Sequence, residues 1–490
     1  MSSLTTNHRL LIDGQLRAAT GGATFDNINP TTGQVAGTAP DATAADGEEA
    51  LSAARRAFDE TDWANDVALR VRVLRQLDDA LRAHEQELTE ITVTEVGAPL
   101  GSCATVQVHE PLAVVEWFAN LAESYDWSTD LGVRDTMGGP ARRWIEREPI
   151  GVVAAITPWN VPNHINIAKV VPALAAGCTV VLKPAPETPW TGLALGQLFA
   201  EHTDLPAGVL NVVTAADKKF GAFLTTDPRV DLISFTGSTE TGRRIMAAAA
   251  ENLTKVFLEL GGKSVHLILE DVADMGLAAA FAAIGTGVVA GQGCALTTRV
   301  LIPQARYEEG VQQIAAMMST ITVGDPADAA TVMGPLITAA QRDRVEGYVQ
   351  GAVDQGATIV CGGKRPADLD SGFFYEPTLL AGVTNQMTAA QEEIFGPVLV
   401  AIPYADDDEA VAIANDSIYG LSGAIFSDDP AHALAVAKRI RTGTMSINGG
   451  VWYAPDVPFG GYKQSGLGRE MGLAGFEEHL EIKSYSEPAS

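Results

Sequence analysis

The sequence predicts an α/β protein of two doubly wound parallel-sheet domains with a small β extension, and three observations predict it. The chain has 490 residues, too many for one ordinary core and suited to two or three domains. Apolar runs alternate strictly with helical stretches between 151 and 260 and again from about 261 to 450, the pattern of parallel strands covered by helices on both faces. Two stretches distant in sequence, 141–150 and 479–488, alternate polar with apolar residues as exposed strands do.

In chain order, residues 8–13 alternate weakly and 27–34, NINPTTGQ, is turn chemistry, so short strands and loops open the fold. Asp46 with Glu49 forms a capping pair before Leu51, Ala54 and Phe58, and a second helix runs from about Val67 past Leu81. Gly97 and Pro99 close this helical region. The strands GVVAAI, CTVVLK, VLNVV, LISF and KVFLEL follow, each separated from the next by a helical stretch. No GxGxxG follows any of them; Gly237 and Gly242 in FTGSTETG open a helix instead and can present backbone N–H groups to an anion. The second half places strands near 298–303, 357–360, 397–403, 422–426 and 443–447, with 362–372 a surface loop by composition. The exposed strands at 141–150 and 479–488 are placed to pair at an edge shared with another subunit.

Hydrophobic residues at 46% and charged ones at 19% describe a soluble globular protein. Acidic residues number 61 and basic ones 33, a formal charge of −28, which argues against nucleic acid or an anionic membrane as partner. The four cysteines and eight histidines are scattered without metal-ligand spacing, so no metal is expected. The N-terminus lacks a basic region followed by an apolar run, no segment is long enough to span a bilayer, and the expected location is the cytoplasm.

One cysteine stands apart. Cys294 lies in GTGVVAGQGCALTTR (285–299), where Gly291 and Gly293 let other groups come close and a loop position favours ionisation of the thiol. Around it the chain carries TPWN (157–160), KPAPETP (183–189), FTGSTETG (235–242), LELGGK (258–263), GQGC (291–294), EEIFGP (392–397) and PFGGYKQSGLGRE (458–470). In order and spacing these resemble the aldehyde dehydrogenase superfamily over nearly the whole chain.

The resemblance implies oxidation of an aldehyde through a thiohemiacetal and then a thioester on Cys294. It makes Asn160 an oxyanion donor and Glu259 the base that activates hydrolytic water; burial of Glu259 among leucines favours a raised pKa. Lys169 and Glu470 match positions that relay the proton onward, or form an ordinary ion pair, while Arg299 reads as structural. NAD is the implied coenzyme, with NADP possible, because Pro186 stands where many relatives carry a carboxylate and Glu187 follows one position later. Coenzyme contacts fall to Ile156, Thr157, Pro158, Trp159, Lys183, Pro186, Glu187, Gly221, Phe235, Gly237, Ser238, Leu260, Gly261, Glu393 and Phe395. The substrate tunnel falls to Val161, Ile165, Ala168, Val288, Tyr453 and Phe459, with His164 within reach. Small residues at 168 and 288 predict a wide tunnel, and the absence of charge or an aromatic cage predicts apolar aliphatic, aromatic or terpenoid aldehydes.

By the same resemblance, 1–130 with 151–260 is the coenzyme-binding domain and 261–465 the catalytic domain. Residues 131–150 and 478–490 supply oligomerisation strands of a homodimer or homotetramer. The rival readings are a CoA-acylating relative, against which Glu259 argues, and a non-catalytic protein that kept the fold.

Overall fold

The computed structural model describes residues 4–6 and 8–489. Residues 1–3 and 7, part of the N-terminal stretch read above, and residue 490, at the end of the second predicted oligomerisation strand, lie outside the described residues.

Among the described residues, two large sheets form the frame. The first holds Lys255–Glu259, Leu232–Thr236, Val152–Ile156, Thr179–Lys183 and Leu210–Val212 side by side in that order, all parallel. Val152–Ile156 comes first in the chain yet lies in the middle, so later strands are added on one side and then on the other. The crevice where the order reverses, beyond Ile156 and Thr236, is where open α/β sheets gather ligands. The five strands are read from near-continuous apolar runs because helices cover both faces: every residue from Pro162 to Ala176 in the helix after the first strand is buried.

The second sheet runs Thr358–Cys361, Thr378–Ala381, Val398–Tyr404, Thr297–Pro303, Ser264–Ile268, Gly423–Phe426 and Ser446–Ile447, parallel except at its first pair. All five predicted second-half strands are present. Gly466–Leu467, late in the chain, returns to the first sheet and pairs antiparallel beside Glu259. Gly466 takes φ 152°, and a β-carbon there would collide with the Leu258 carbonyl, so glycine is required where this strand docks.

The strand Gly139–Pro149 pairs antiparallel with both Ser128–Thr136 and Leu480–Pro488, so the two predicted exposed strands meet within one chain. Two local expectations are corrected. The first long helix, Ala44–Glu60, is capped by Thr43, with Asp46 at its third position; the buried Asp46 carboxylate accepts from the backbone of Thr43 and Thr20, while Glu49 pairs with Arg17 at 2.7 Å. Helical structure also does not end at Gly97. Gly97 caps Glu85–Val96 in the left-handed conformation, but a further helix, Leu112–Ser124, follows and packs against Val67–Ala83. It opens after Pro111 with no side-chain cap, so its start carries no capping signal.

Candidate active site

Glu259 closes the strand Lys255–Glu259, and the next residues cross to the second sheet. This crossing is latched: Leu260 N donates to the Ser465 carbonyl at 2.8 Å, and Ser465 Oγ donates to the Gly261 carbonyl at 2.7 Å. Neither carboxylate oxygen of Glu259 has a protein partner. Burial raises its pKa well above the usual carboxylate range, the neighbouring Glu470 adds to the rise, and Lys169 opposes it. Lys169 and Glu470 form a buried ion pair at 3.1 Å, with the ammonium also donating to Ser234 Oγ at 3.3 Å and lying over the Phe257 ring. The pair lies close to the Glu259 carboxyl, whose ionisation it influences from both sides, Glu470 against and Lys169 in favour.

Cys294 follows a turn of unusual backbone. Val289 (φ 46°), Ala290 (φ 52°) and Gly291 (φ 69°) are successively left-handed, which costs about 1–2 kcal/mol for each residue that carries a β-carbon. Tertiary contact holds the turn: a β-carbon on Gly291 would collide with the Gly396 carbonyl, and Phe395 before it is left-handed too, at φ 62°. The expectation that the loop eases ionisation of Cys294 is reversed. Loss of hydration pushes the thiol well above its ordinary range, and Glu393, Glu259 and Glu470 push the same way. Cys294 itself is half-buried and three carboxylates act on it, so the thiol needs a proton acceptor before it can attack.

Asn160 ends the turn after Val152–Ile156. Its amide Nδ2 donates to the Gln292 carbonyl at 2.8 Å, two residues before Cys294, which places the predicted oxyanion donor against the nucleophile loop. Gln292 is itself tied down, donating to the Val289 carbonyl and accepting from Ile337 N, both at 3.0 Å. Sequence reading passed over Gln292 although it lies inside GQGC.

The residues read as coenzyme contacts converge at the crevice. Trp159 and Phe395, from opposite halves of the chain, meet edge to face with centroids 5.3 Å apart. Lys183 ends its strand buried, donates to the Pro184 carbonyl at 3.2 Å, and lies beside Gly221 and Ile156. Burial lowers its pKa to about 8, against the pull of Glu187. Glu393 accepts from Gly262 N at 3.0 Å, and a β-carbon on Gly261 would strike its carboxylate. Loss of hydration raises Glu393 to about 7, with the Gly262 N–H and Lys263 working against the rise. Thr157 donates to Asn166 Oδ1 at 2.6 Å, and Leu260 fills the space that glycine leaves at 242. Pro158 and Pro186 are half-buried on the same rim. Phe235 packs over Gly237. One detail is corrected: the Gly237 N–H donates to the Glu259 carbonyl at 3.0 Å, so it is not free for a phosphate. The helix Thr239–Ala249 begins just beyond, where Ser238 is the exposed N-cap and accepts from Thr241 N at 3.2 Å, and its N-terminus is the part of this motif able to present N–H groups to an anion.

The family model for "Aldehyde dehydrogenase family" matches residues 17–485. The chain belongs to the aldehyde dehydrogenase family. It is 39% identical over 485 residues to geranial dehydrogenase of Castellaniella defragrans, covering 98% of this chain and 99% of that one. It is 41% identical over 478 residues to 3-succinoylsemialdehyde-pyridine dehydrogenase of a Pseudomonas species, covering 96% and 97%. Among solved structures it superposes on Mycobacterium tuberculosis aldehyde dehydrogenase complexed with NAD+ at TM-score 0.93 and 42% identity, with 97% of each chain covered. Betaine aldehyde dehydrogenase of Staphylococcus aureus in complex with NAD+ superposes at 0.95 and 37% identity, covering 99% of this chain and 95% of that one.

In this aldehyde dehydrogenase, Val161, Ile165 and Ala168 follow one face of the helix Pro162–Ala176 and its entry. Ala168 is only 1% exposed and packs in the apolar core, so its small size does not of itself widen a tunnel. Val288 sits on the turn before GQGC. Tyr453 and Phe459 meet edge to face, and Trp452, not picked out from the sequence, stacks on Phe459 at 5.5 Å. Tyr453 also hydrogen-bonds His164, whose buried imidazole is held neutral by burial, its pKa lowered to about 4. These two residues form one wall of a cavity of about 400 Å³ that has apolar lining from Leu112, Val114, Ala454 and Met471 and charged or polar lining from Arg82, His109, Glu110 and Glu116. The cavity was invisible to sequence reading because the helix Leu112–Ser124 was.

Arg299 is the frame of the nucleophile strand. Fully buried, it donates to the carbonyls of Lys263, Ile413 and Ala414 and to Asn385 Oδ1, the last at 2.7 Å. Arg299→Met strands these acceptors and is expected to destabilise the protein by roughly 3–5 kcal/mol. The urea midpoint measures it, and an unchanged midpoint would contradict a structural role.

Among the described residues, no helix is long and apolar enough to cross a membrane.

Proposed function

We propose that this aldehyde dehydrogenase oxidises an aldehyde with an apolar body, aliphatic, aromatic or terpenoid, to its carboxylic acid, with NAD as the acceptor. The observation that carries the chemistry is the convergence of Asn160 on the Cys294 loop beside a buried, unpartnered Glu259. The Cys294 sulfur adds to the aldehyde carbon, and the Asn160 amide N–H not bonded to Gln292 steadies the oxyanion. NAD, when bound, accepts the hydride that leaves this carbon. Lys183 has donors to spare for ribose hydroxyls, Glu393 has one oxygen free of protein donors, and Trp159 with Phe395 frames the ring between them. Glu259 then takes a proton from the water that cleaves the thioester, and the Lys169–Glu470 pair passes that proton on.

Support for an apolar substrate body comes from the cavity wall of Leu112, Val114, Ala454 and Met471, although Arg82, His109, Glu110 and Glu116 line the same cavity and make the rest of it charged. The expectation is of no aromatic cage, and Trp452, Tyr453 and Phe459 do cluster, with Tyr453 lining the cavity. Trp452 stacks on Phe459, however, Tyr453 meets both edge to face, and Phe459 is 7% exposed, so few faces remain for a quaternary ammonium group. Each methylene buried is worth about 0.8 kcal/mol, so kcat/KM is expected to rise roughly threefold to fourfold per carbon from acetaldehyde to hexanal. Glu187 beside Lys183 favours NAD over NADP through repulsion of a 2'-phosphate. Steady-state kinetics across an aldehyde series with both coenzymes tests this; a maximum at acetaldehyde, betaine aldehyde or succinic semialdehyde, or better use of NADP, overturns the corresponding part.

The same reading assigns coenzyme binding to the 1–130 and 151–260 unit and catalysis to 261–465. It assigns the three-stranded sheet to contact between subunits of a dimer or tetramer. Exposed Leu131, Val133 and Ile482 on that sheet support a covered surface there.

A further inference from the structure

Gln107 belongs to none of the motifs, yet its side chain is fully buried, and its Nε2 donates to the backbone oxygen of Asn160 at 2.8 Å. Asn160 is therefore held at two points, by Gln107 at its carbonyl and by the Gln292 carbonyl at its side-chain amide. Gln107 ends the segment Cys103–Gln107, a turn of π-helix in which Thr105 leaves the helical conformation (φ −131°, ψ −114°). Single π turns are rare and recur at functional sites. This one carries Gln107 inward, while His109, Glu110 and Leu112, next along the chain, wall the outer cavity. The Gln107 Oε1 is left buried without a protein partner. An apolar side chain would fill the same space without that cost, so the bond donated to Asn160 is the feature that the amide adds.

We propose that Gln107 is a positioning residue for aldehyde attack. By fixing the Asn160 peptide plane it sets the direction of the amide hydrogen that meets the developing oxyanion, and it ties that setting to the wall of the outer cavity. An oxyanion donor works only within a few tenths of an ångström of its place, and a displacement of about 1 Å costs roughly 10²-fold in rate. The inference rests on the reading of Asn160 as that donor.

The test is the pre-steady-state NADH burst with hexanal, followed in the full-length enzyme with NAD. Gln107→Met is expected to slow the burst roughly 10- to 100-fold with NAD affinity unchanged and a melting temperature lowered only as far as the loss of one buried hydrogen bond requires. Gln107→Glu supplies a readout that a packing role would not move: its carboxyl donates to Asn160 only when protonated. Its burst, relative to wild type at each pH, is therefore expected to recover as pH falls. A wild-type burst in Gln107→Met, or a Gln107→Glu profile parallel to wild type, overturns the proposal; if Gln107→Met does not fold, the Gln107→Glu profile decides. Asn160→Ala separates the two levels. If Asn160→Ala loses the burst and Gln107→Met keeps it, this inference alone fails; if Asn160→Ala keeps the burst, the reading beneath it fails.

Discussion

Cys294→Ala is expected to lower kcat roughly 10⁴-fold or more with every aldehyde, while NAD still binds. The thiol supplies the covalent step, and no neighbour replaces it. Cys103 and Cys178 are buried in the apolar core, and Cys361 lies on a strand at the edge of the second sheet. The groups proposed to hold the coenzyme, Lys183, Glu393 and the first turn of Thr239–Ala249, are untouched by the change. Turnover is read from NADH absorbance and binding by titration of protein fluorescence. Residual turnover near wild type would mean another nucleophile, and lost coenzyme binding would mean that the variant perturbs more than the thiol.

Glu259→Gln gives the second large effect, and it is expected to split the reaction. Hydride leaves before water attacks, so one equivalent of NADH should form in a burst, after which turnover stalls roughly 10²- to 10⁴-fold below wild type. The pH dependence follows from the raised pKa of Glu259. Burial and the neighbouring Glu470 shift the deprotonation that makes this carboxyl a base toward higher pH, so wild-type kcat is expected to rise with pH wherever thioester hydrolysis limits turnover. Glu259→Gln should lose that climb while keeping any rise in burst rate that reports the thiol. Loss of the burst itself would show that Glu259 also accepts the proton from Cys294, a demand made concrete by the raised pKa of that thiol.

Strand and helix alternation could be read from the chain because the parallel strands, buried on both faces, are written as short unbroken apolar runs such as VVAAI and TVVLK. The helix Leu112–Ser124 was not legible, since LAVVEWFANLAES opens without a cap, and with it went one wall of the outer cavity. Asp46 shows how a cap is misassigned by one motif: Thr43 and Asp46 make the reciprocal bonds, but a carboxylate before an apolar run looks like the cap itself.

The sequence by itself determined the family, the two-sheet architecture and the candidate nucleophile, base and oxyanion donor, because each rests on local residue type in a fixed order. Only the tertiary structure decided how those groups are charged and held. Whether Cys294 is easily ionised depends on Glu393, Glu259 and Glu470, which lie up to 176 residues away, and burial together with those carboxylates reverses the sign that the loop suggested. Gln107 and Asn160 are 53 residues apart and joined by one buried bond. Ionisation and hydrogen bonding are set by what surrounds a group in space, and in a parallel α/β fold those surroundings come from the ends of strands far apart in the chain.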